Sequence, residues 1–487
     1  MKSTFCCVCA LILGFKAYAQ NWPKYYTNNK FTSGILAIES YDHGIIAISW
    51  ADINANFHKT DINGNILCQR LLEGALIYGI HETKDRGYIV TGCVADKNNQ
   101  TELFMLKLNA CIELEWCKKY EFDAPSNGLD VIQMKDGGFL INLVVGQITY
   151  NCQCGVIRTD AKGNIIWKYY YAAEIPSILL DKNKHILVTS NYRYQINKSD
   201  RSDLNLTMLD SNGTVLWKTT KTGAEYYPVK TVETYENGYV TMVDWHLFFW
   251  DSVGRLLSDK IITNNIPTNV VSINSFDIIR STDSTYLILV YGDSATSGYG
   301  GAIIIKINTK GDFIKKAGIY GRYDSTGYYN LGGRKITATS DNKYLIAGGK
   351  EHFLYSGQTN YSEMFIAKIN SNLDLDSFYS KKYKYDSLCP NVIPDSGNIS
   401  LDQAEIVNLD TIGVKYTGFN IYPNPTRDYF NISAIGFSNQ LFDLTIYDVL
   451  GREVSKQQFM PDAAGNIARQ ISISHVMSGC YFISLSQ

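Results

Sequence analysis

The sequence predicts an all-β chain, a seven-bladed β-propeller followed by a small C-terminal β-sandwich-like domain, and three observations carry that prediction. The first is an internal repeat. Asn109 and Trp116, Asp160 and Trp167, and Asp210 and Trp217 stand seven residues apart, at intervals of 51 and then 50 residues. The second is a pair of turn signals that recurs seven times in register. The third is strand chemistry between the turns, with no stretch of convincing helical period and length. Four short strands in about fifty residues make a propeller blade.

The chain opens with a targeting pattern over residues 1–19. Lys2 is the charged start, Phe5 to Phe15 the apolar core and Ala17-Tyr18-Ala19 the small-residue cleavage site. Cys6, Cys7 and Cys9 lack the preceding small residue of a lipobox and come too early, so an exported form without a lipid anchor is expected. The apolar run is too short to span a bilayer, and no later segment reaches eighteen apolar residues, so no transmembrane anchor is expected.

Residues 20–385 carry the repeat. The first turn set is Asp42-His43-Gly44, Asp85 to Tyr88, Asp136 to Phe139, Asp181 to His185, Glu236 to Tyr239, Asp283 to Tyr286 and Asp341 to Tyr344. The second begins at Asp61, Asn109, Asp160, Asp210, Asp251, Asn308 and Asn370. Asp and Asn start such turns by bonding their own backbone, and Gly is expected to supply the positive φ that closes the hairpins. The runs between them, such as Gly44 to Trp50 and Phe139 to Val145, are short, β-branched and apolar, as buried strands are. Two segments compete to complete the last blade. Trp22 to Tyr26 resembles the outer strands Trp116 to Tyr120 and Trp167 to Tyr171, while Ser377 to Tyr383 directly follows the last repeat.

Composition narrows the function. The full chain has 45 Lys and Arg against 47 Asp and Glu; removing residues 1–19 takes Lys2 and Lys16, leaving a formal charge of −4. That balance argues against a nucleic-acid binder, which needs a clustered basic surface. Tyrosine is abundant, at 35 residues, and Tyr226, Tyr227, Tyr299, Tyr328, Tyr329, Tyr355 and Tyr361 read as turn or loop positions. Such rings cover blade edges or, where exposed, stack on sugars or anchor a protein contact. Eight cysteines remain after residue 19, an even number that permits disulfides in an exported chain. Cys111 and Cys117 flank one strand and bridge only if the chain bends; Cys152 and Cys154 share a face but lack a His cluster, so no metal is expected.

After Tyr385 the repeat stops. Residues 386–415, with Pro390, Pro394 and no regular period, read as a linker. Residues 416–487 then hold four blocks: Tyr422-Pro423-Asn424-Pro425; Phe430 to Ile432; Tyr447-Asp448 followed by Gly451-Arg452; and Gly479-Cys480-Tyr481-Phe482-Ile483. Pro423 and Pro425 rigidify the approach to a first strand, and Asp448 to Arg452 reads as a hairpin turn. In this combination and order the blocks resemble the type A C-terminal sorting domain of type IX secretion substrates of the Bacteroidetes. The resemblance implies handling by the type IX machinery, export across the outer membrane, and release or surface attachment after removal of the tail. Such tails usually end in a further Lys-rich strand, whereas these residues end at Leu485-Ser486-Gln487. The triplets at Asp293, Asp386 and Asp410 resemble O-glycosylation sites of the same phylum.

No enzyme signature emerges: there is no His-Glu-x-x-His, no Gly-x-Ser-x-Gly and no phosphate-cradling glycine loop. Asp210 to Trp217 departs from the sialidase Asp-box in spacing and lacks the Thr-Gly of quinone-cofactor repeats, so no cofactor is expected. Asp130, Asp244, Asp277 and Glu351 stand near strand starts, where a propeller hydrolase would gather paired carboxylates; each also reads as an ordinary turn or solvent residue. His246, inside an apolar run, reads as a packed core histidine. The expectation is a secreted or surface-displayed binding or adhesion module with a carbohydrate or protein ligand. Its rivals are a polysaccharide hydrolase and a protein scaffold.

Overall fold

The computed structural model describes residues 22–26, 32–95, 100–146, 152–173, 176–196, 199–223, 230–262, 270–294, 300–323, 327–354, 361–381, 383–385, 387–388, 396–409, 420–422, 428–434, 441–449, 451–460, 467–474, 476, 479 and 481–486. Among them, seven antiparallel sheets follow one another through the first 369 residues. Their first strands are Thr32–Glu39, Ala75–Glu82, Ser126–Gln133, Ser177–Leu180, Lys230–Glu233, Val270–Arg280 and Gly327–Ala338. These strands touch in ring order around a central channel, and Gly327–Ala338 meets Thr32–Glu39. Thr337 Oγ1 donates to Ala37 O across that junction at 2.8 Å. The chain is a closed β-propeller, so no blade ends in an unpaired face.

Its closing strand comes from the N-terminus. Lys24–Tyr26 pairs antiparallel with Tyr361–Ile369, setting Lys24 opposite Ile366 and Tyr26 opposite Met364. Trp22 then takes the place that Trp167 and Trp217 hold in their blades, each lying over the turn glycine of the next blade. A Cβ on Gly64, Gly213 or Gly254 would lie 2.9, 2.9 or 2.5 Å from Trp22, Trp167 or Trp217 respectively. Tyr26 Oη donates to Gly64 O at 2.7 Å, as Tyr120 Oη does to Gly163 O at 2.8 Å. The competing segment forms no strand among its described residues. It bridges the seventh and first blades instead, with Lys343 Nζ donating to Tyr379 Oη at 2.7 Å and Tyr379 N donating to Asn63 Oδ1 at 2.7 Å.

The turns revise one expectation. In the second set Gly64, Gly163, Gly213, Gly254 and Gly311 do carry positive φ, joined by Ile112 and Leu373. In the first set, however, the positive φ falls on His43, Arg86, Gly137, Lys184, Asn237, Ser284 and Asn342, only one of them glycine. The neighbouring glycines serve a different need. A Cβ on Gly44, Gly87, Gly138 or Gly238 would strike the last carbonyl of the third strand at 2.5, 2.2, 2.2 or 2.1 Å.

The first-set aspartates also anchor the third strands. Lys59 meets Asp42 at 2.8 Å, Lys107 meets Asp85 at 2.9 Å, Arg158 meets Asp136 at 2.5 Å, Lys306 meets Asp283 at 2.5 Å and Lys368 meets Asp341 at 3.0 Å. Five blades thus repeat one ion pair at one register.

The segment read as a linker is partly strand. Ser396–Ile399 runs parallel to Ile66–Leu72, and Glu405–Asn408 runs parallel to Leu114–Glu121, each adding a fifth strand to its sheet. Outer strands present unpaired N–H and C=O groups, and a passing chain satisfies them. Ile399 and Leu401 join the core shared by the first two blades, and Leu409 that shared by the second and third. Linker composition concealed this because only a few apolar residues are needed to hold an added strand.

Residues from Asn420 on form two three-stranded sheets. One contains Asn420–Tyr422, Tyr429–Ala434 and Ile467–Ser472; the other sets Phe442–Asp448 between Glu453–Phe459 and Tyr481–Ser486. Phe430, Ile432, Ile467 and Ile471 from the first pack with Leu444 and Ile446 from the second, which makes a small sandwich. Residues 1–21, Cys152's side chain, Cys389, Pro390 and Pro394 lie outside what is described. Cys111 is disulfide-bonded, but not to Cys117, which is a buried thiol like Cys68, Cys93 and Cys154. Burial pushes the Cys117 thiol up to about 12 and that of Cys93 to about 11, so neither is a nucleophile near neutral pH.

Candidate functional site

Asp130 and Asp277 act on the same two lysines, Lys230 and Lys335. Each stands three residues before the end of its first strand, where the register of the seven strands aligns Leu36, Gly79, Asp130, Ser177, Lys230, Asp277 and Lys335. A β-bulge immediately precedes five of these positions, as between Gly128 and Asp130 and between Ser275 and Asp277. Bulges of this kind re-aim side chains. Gly79 is needed here, since its Cβ would lie 2.8 Å from Asp130 Cα.

The result is a tier of two acids and two lysines. Asp277, buried, accepts from Ile278 N at 3.1 Å and Ile336 N at 3.3 Å, with Lys335 Nζ at 3.4 Å and Lys230 Nζ at 3.9 Å. Repulsion from Lys335, then burial, lowers the Lys230 pKa. Burial alone would lower Lys335 as well, but attraction to Asp277 and Asp130 outweighs it and raises that pKa. A cavity of about 270 Å³ in the channel is lined in part by Leu36, Gly79, Asp130 and Lys335. The carboxylates arrive from strands rather than loops, and interleaved with lysines.

The other sequence candidates scatter. Glu351 is exposed and lines a separate cavity of about 180 Å³ with Tyr291, Asn330, Arg334 and the glycines 332, 333 and 349. Asp244, at φ 49°, sits in the tight turn between Val243 and His246. His246 is not a core residue: it begins its strand, half-buried, with Nδ1 at 3.2 Å from Asp259 Oδ1 and its ring stacked on Phe248. Tyr328 and Tyr329 lie in a strand rather than a loop, and Tyr329 is buried; Tyr226, Tyr227, Tyr299, Tyr355 and the side chain of Tyr361 are outside the described residues.

A further cavity, of about 490 Å³, opens between the fourth and fifth blades. Buried Asp181 accepts from its own turn, His185 N at 2.7 Å, and from Tyr239 Oη at 3.2 Å, with His185 Nδ1 at 3.3 Å. Glu233 on the next blade accepts from Lys182 N at 3.1 Å, and Arg280 stands 3.7 Å away. Trp217, Leu216 and Met208 form the apolar wall. Burial, and after it the Asp181 charge, pushes the Tyr239 hydroxyl well above its usual range, so it stays a donor. Sequence reading used Asp181, His185 and Trp217 only as turn and packing anchors. It missed the site because its members come from two blades. Among the described residues no cluster of His, Cys, Asp and Glu fits a metal ion, and no helix is long and apolar enough to cross a membrane.

At the C-terminal end, Asp448 and Arg452 close the hairpin between Phe442–Asp448 and Glu453–Phe459. Arg452 N donates to Asp448 Oδ1 at 3.0 Å, its guanidinium reaches Oδ2 at 2.7 Å, and Gly451 takes φ 77°. Tyr447 pairs with Glu453 and Phe482, and Tyr481 with Asp448, so these motif positions share one sheet. Gly479 is exposed just before that last strand. Pro423, Asn424, Pro425 and the side chain of Tyr422 lie outside the described residues.

Residues 420–487 match the family described as the secretion system C-terminal sorting domain. The tail is a type IX sorting domain. The protein is therefore a type IX secretion substrate, secreted or held at the cell surface, with a propeller as its passenger. No curated protein matches the chain. Among solved structures it is similar to the WD40 domain of SCAP from fission yeast, at 9% identity and TM-score 0.32, over 74% of this chain and 91% of that one. It is also similar to a Synechocystis apocarotenoid oxygenase mutant, at 11% identity and TM-score 0.36, over 58% of this chain and 73% of that one.

Proposed function

We propose that this type IX substrate is a seven-bladed recognition or adhesion module of a Bacteroidetes cell surface, with a carbohydrate or protein ligand. In this reading residues 1–19 are the export signal, 20–385 the propeller, 386–415 the linker and 416–487 the sorting domain. The sorting residues are Tyr422, Pro423, Asn424, Pro425, Tyr447, Asp448, Gly451, Arg452, Gly479 and Tyr481. One observation carries binding over hydrolysis: the acids that gather in the channel, Asp130 and Asp277, are offset by Lys230 and Lys335. A glycosidase needs one carboxylate held protonated and another free beside the scissile bond.

Hydrolysis keeps one supporting observation, the joint presence of Asp181 and Glu233 in the cavity between the fourth and fifth blades. A glycan and polysaccharide array on the purified chain, followed by a reducing-end assay on every hit, separates the two. Binding without new reducing ends is expected. Product formation abolished by Glu233→Gln would establish the hydrolase, and silence on all glycans would leave a protein ligand.

A further inference from the structure

Seven copies of one repeat supply their own standard, and the fourth blade departs from it at four positions that all face one cavity. Where five blades pair a turn Asp with a third-strand cation, the fourth has Asn183 and Met208. At the turn's end four blades have glycine and the sixth and seventh have Thr285 and Lys343; the fourth has His185. At the turn's start, where others carry Ser, Thr or Met, it has Asp181. Breaks in local rules concentrate where function needs them. The fifth blade also lacks the ion pair, with Glu236 and Phe249 at those positions, and its side of the cavity contributes Glu233 and Tyr239.

We infer that the cavity between the fourth and fifth blades is a binding site for a neutral sugar residue of a glycan. This rests on the recognition reading above and names its site and ligand class. A volume of about 490 Å³ lies within the range of small-ligand sites. Its polar lining sets two carboxylates, Asp181 and Glu233, beside side chains that both donate and accept, Asn183, Asn237 and Ser252, with Tyr239 donating to Asp181. The Lys182 ammonium is already engaged by Asn237 Oδ1. Such a lining suits a partner whose hydroxyls both donate and accept, and its two carboxylates disfavour an anionic one. The indole of Trp217 and the half-exposed Leu216 give a surface for the apolar face of a pyranose ring.

The test restores the repeat. Asn183→Asp, His185→Gly and Met208→Lys together rebuild the ion pair and glycine of the first three blades, and circular dichroism with thermal melting checks that the variant is folded. Leu216→Ala, at an exposed position, is the second, milder variant. Both are compared with the full wild-type chain by calorimetry on cello-, manno- and laminari-oligosaccharides, with polygalacturonate as the acidic control. Wild-type binding to a neutral oligosaccharide, weakened at least about tenfold in the restored variant and several-fold in Leu216→Ala, is the expected result. Neutral-glycan binding that survives restoration would move the site elsewhere and leave the recognition reading intact. Binding to polygalacturonate alone would overturn the ligand class. Silence of the wild type on every glycan would remove both the site and the carbohydrate reading.

Discussion

The first and fourth blades are built on one plan and diverge at one corner. In the first, Lys59 and Asp42 form an ion pair whose side chains are 0% and 2% exposed, and Gly44 lets the Thr60 carbonyl close over the turn. In the fourth, Met208 and Asn183 replace the pair and His185 replaces the glycine, and the corner is a cavity. A buried charge needs its partner, whereas a neutral pair leaves the corner free to hold something else. The lesson is that in a repeat protein the satisfied copies define what structure alone requires, and a copy that departs from them is where the proposed site is sought.

Breaking the first blade's corner is expected to have the largest effect. Lys59→Met strands Asp42 in the interior and should cost about 3–5 kcal/mol, read by urea denaturation. Adding Asp42→Asn, which copies the fourth blade, should recover most of that loss. Failure to recover would mean that the fourth blade's neutral pair depends on its cavity. Trp22→Ala removes the indole that seals the seventh blade onto the first and should cost about 3 kcal/mol or more. Amide exchange at Tyr26, which pairs with Met364, is expected to be slow in the wild type and to accelerate in this variant.

Acid sharpens the comparison further. Burial alone would raise the Asp341 carboxyl, but hydrogen bonds from Thr339, Tyr379 and Lys368 outweigh it and hold it down to about 2. Asp283 is likewise held to about 2 against burial, by Lys306, Thr285 and Ser281. Folded pKa values below the ordinary carboxylate value mean stability that is full above roughly pH 4 and lost as pH falls toward 2. Thermal melting between pH 5 and pH 2.5 should show this slope, and Asp341→Asn should flatten it. The smallest effect belongs to the third blade, where Asp136 is 67% exposed. Arg158→Met removes the same register pair there, yet should cost about 0–1 kcal/mol through the ion pair itself. A loss as large as that in the first blade would show that register, not burial, sets the energy.

Much of this architecture is written locally. An Asx turn bonds residues two and four apart, as Asp160 does with Lys162 and Asn164, so sequence spacing reveals it without knowledge of the fold. The same holds for Asp448 to Arg452 in the sorting domain, and for Trp22 to Tyr26, whose likeness to the segments at Trp116 and Trp167 anticipated its strand. Only the tertiary structure decided that Trp22 rather than Ser377 to Tyr383 closes the ring. It alone also decided that residues 396–408 pair with two outer strands, and that Asp130 and Asp277 share a tier with Lys230 and Lys335. The physical reason is the same in each case. A turn is a contact between near neighbours in the chain, whereas the channel and the cavity beside Trp217 are contacts between blades, and no local spacing encodes which blades meet.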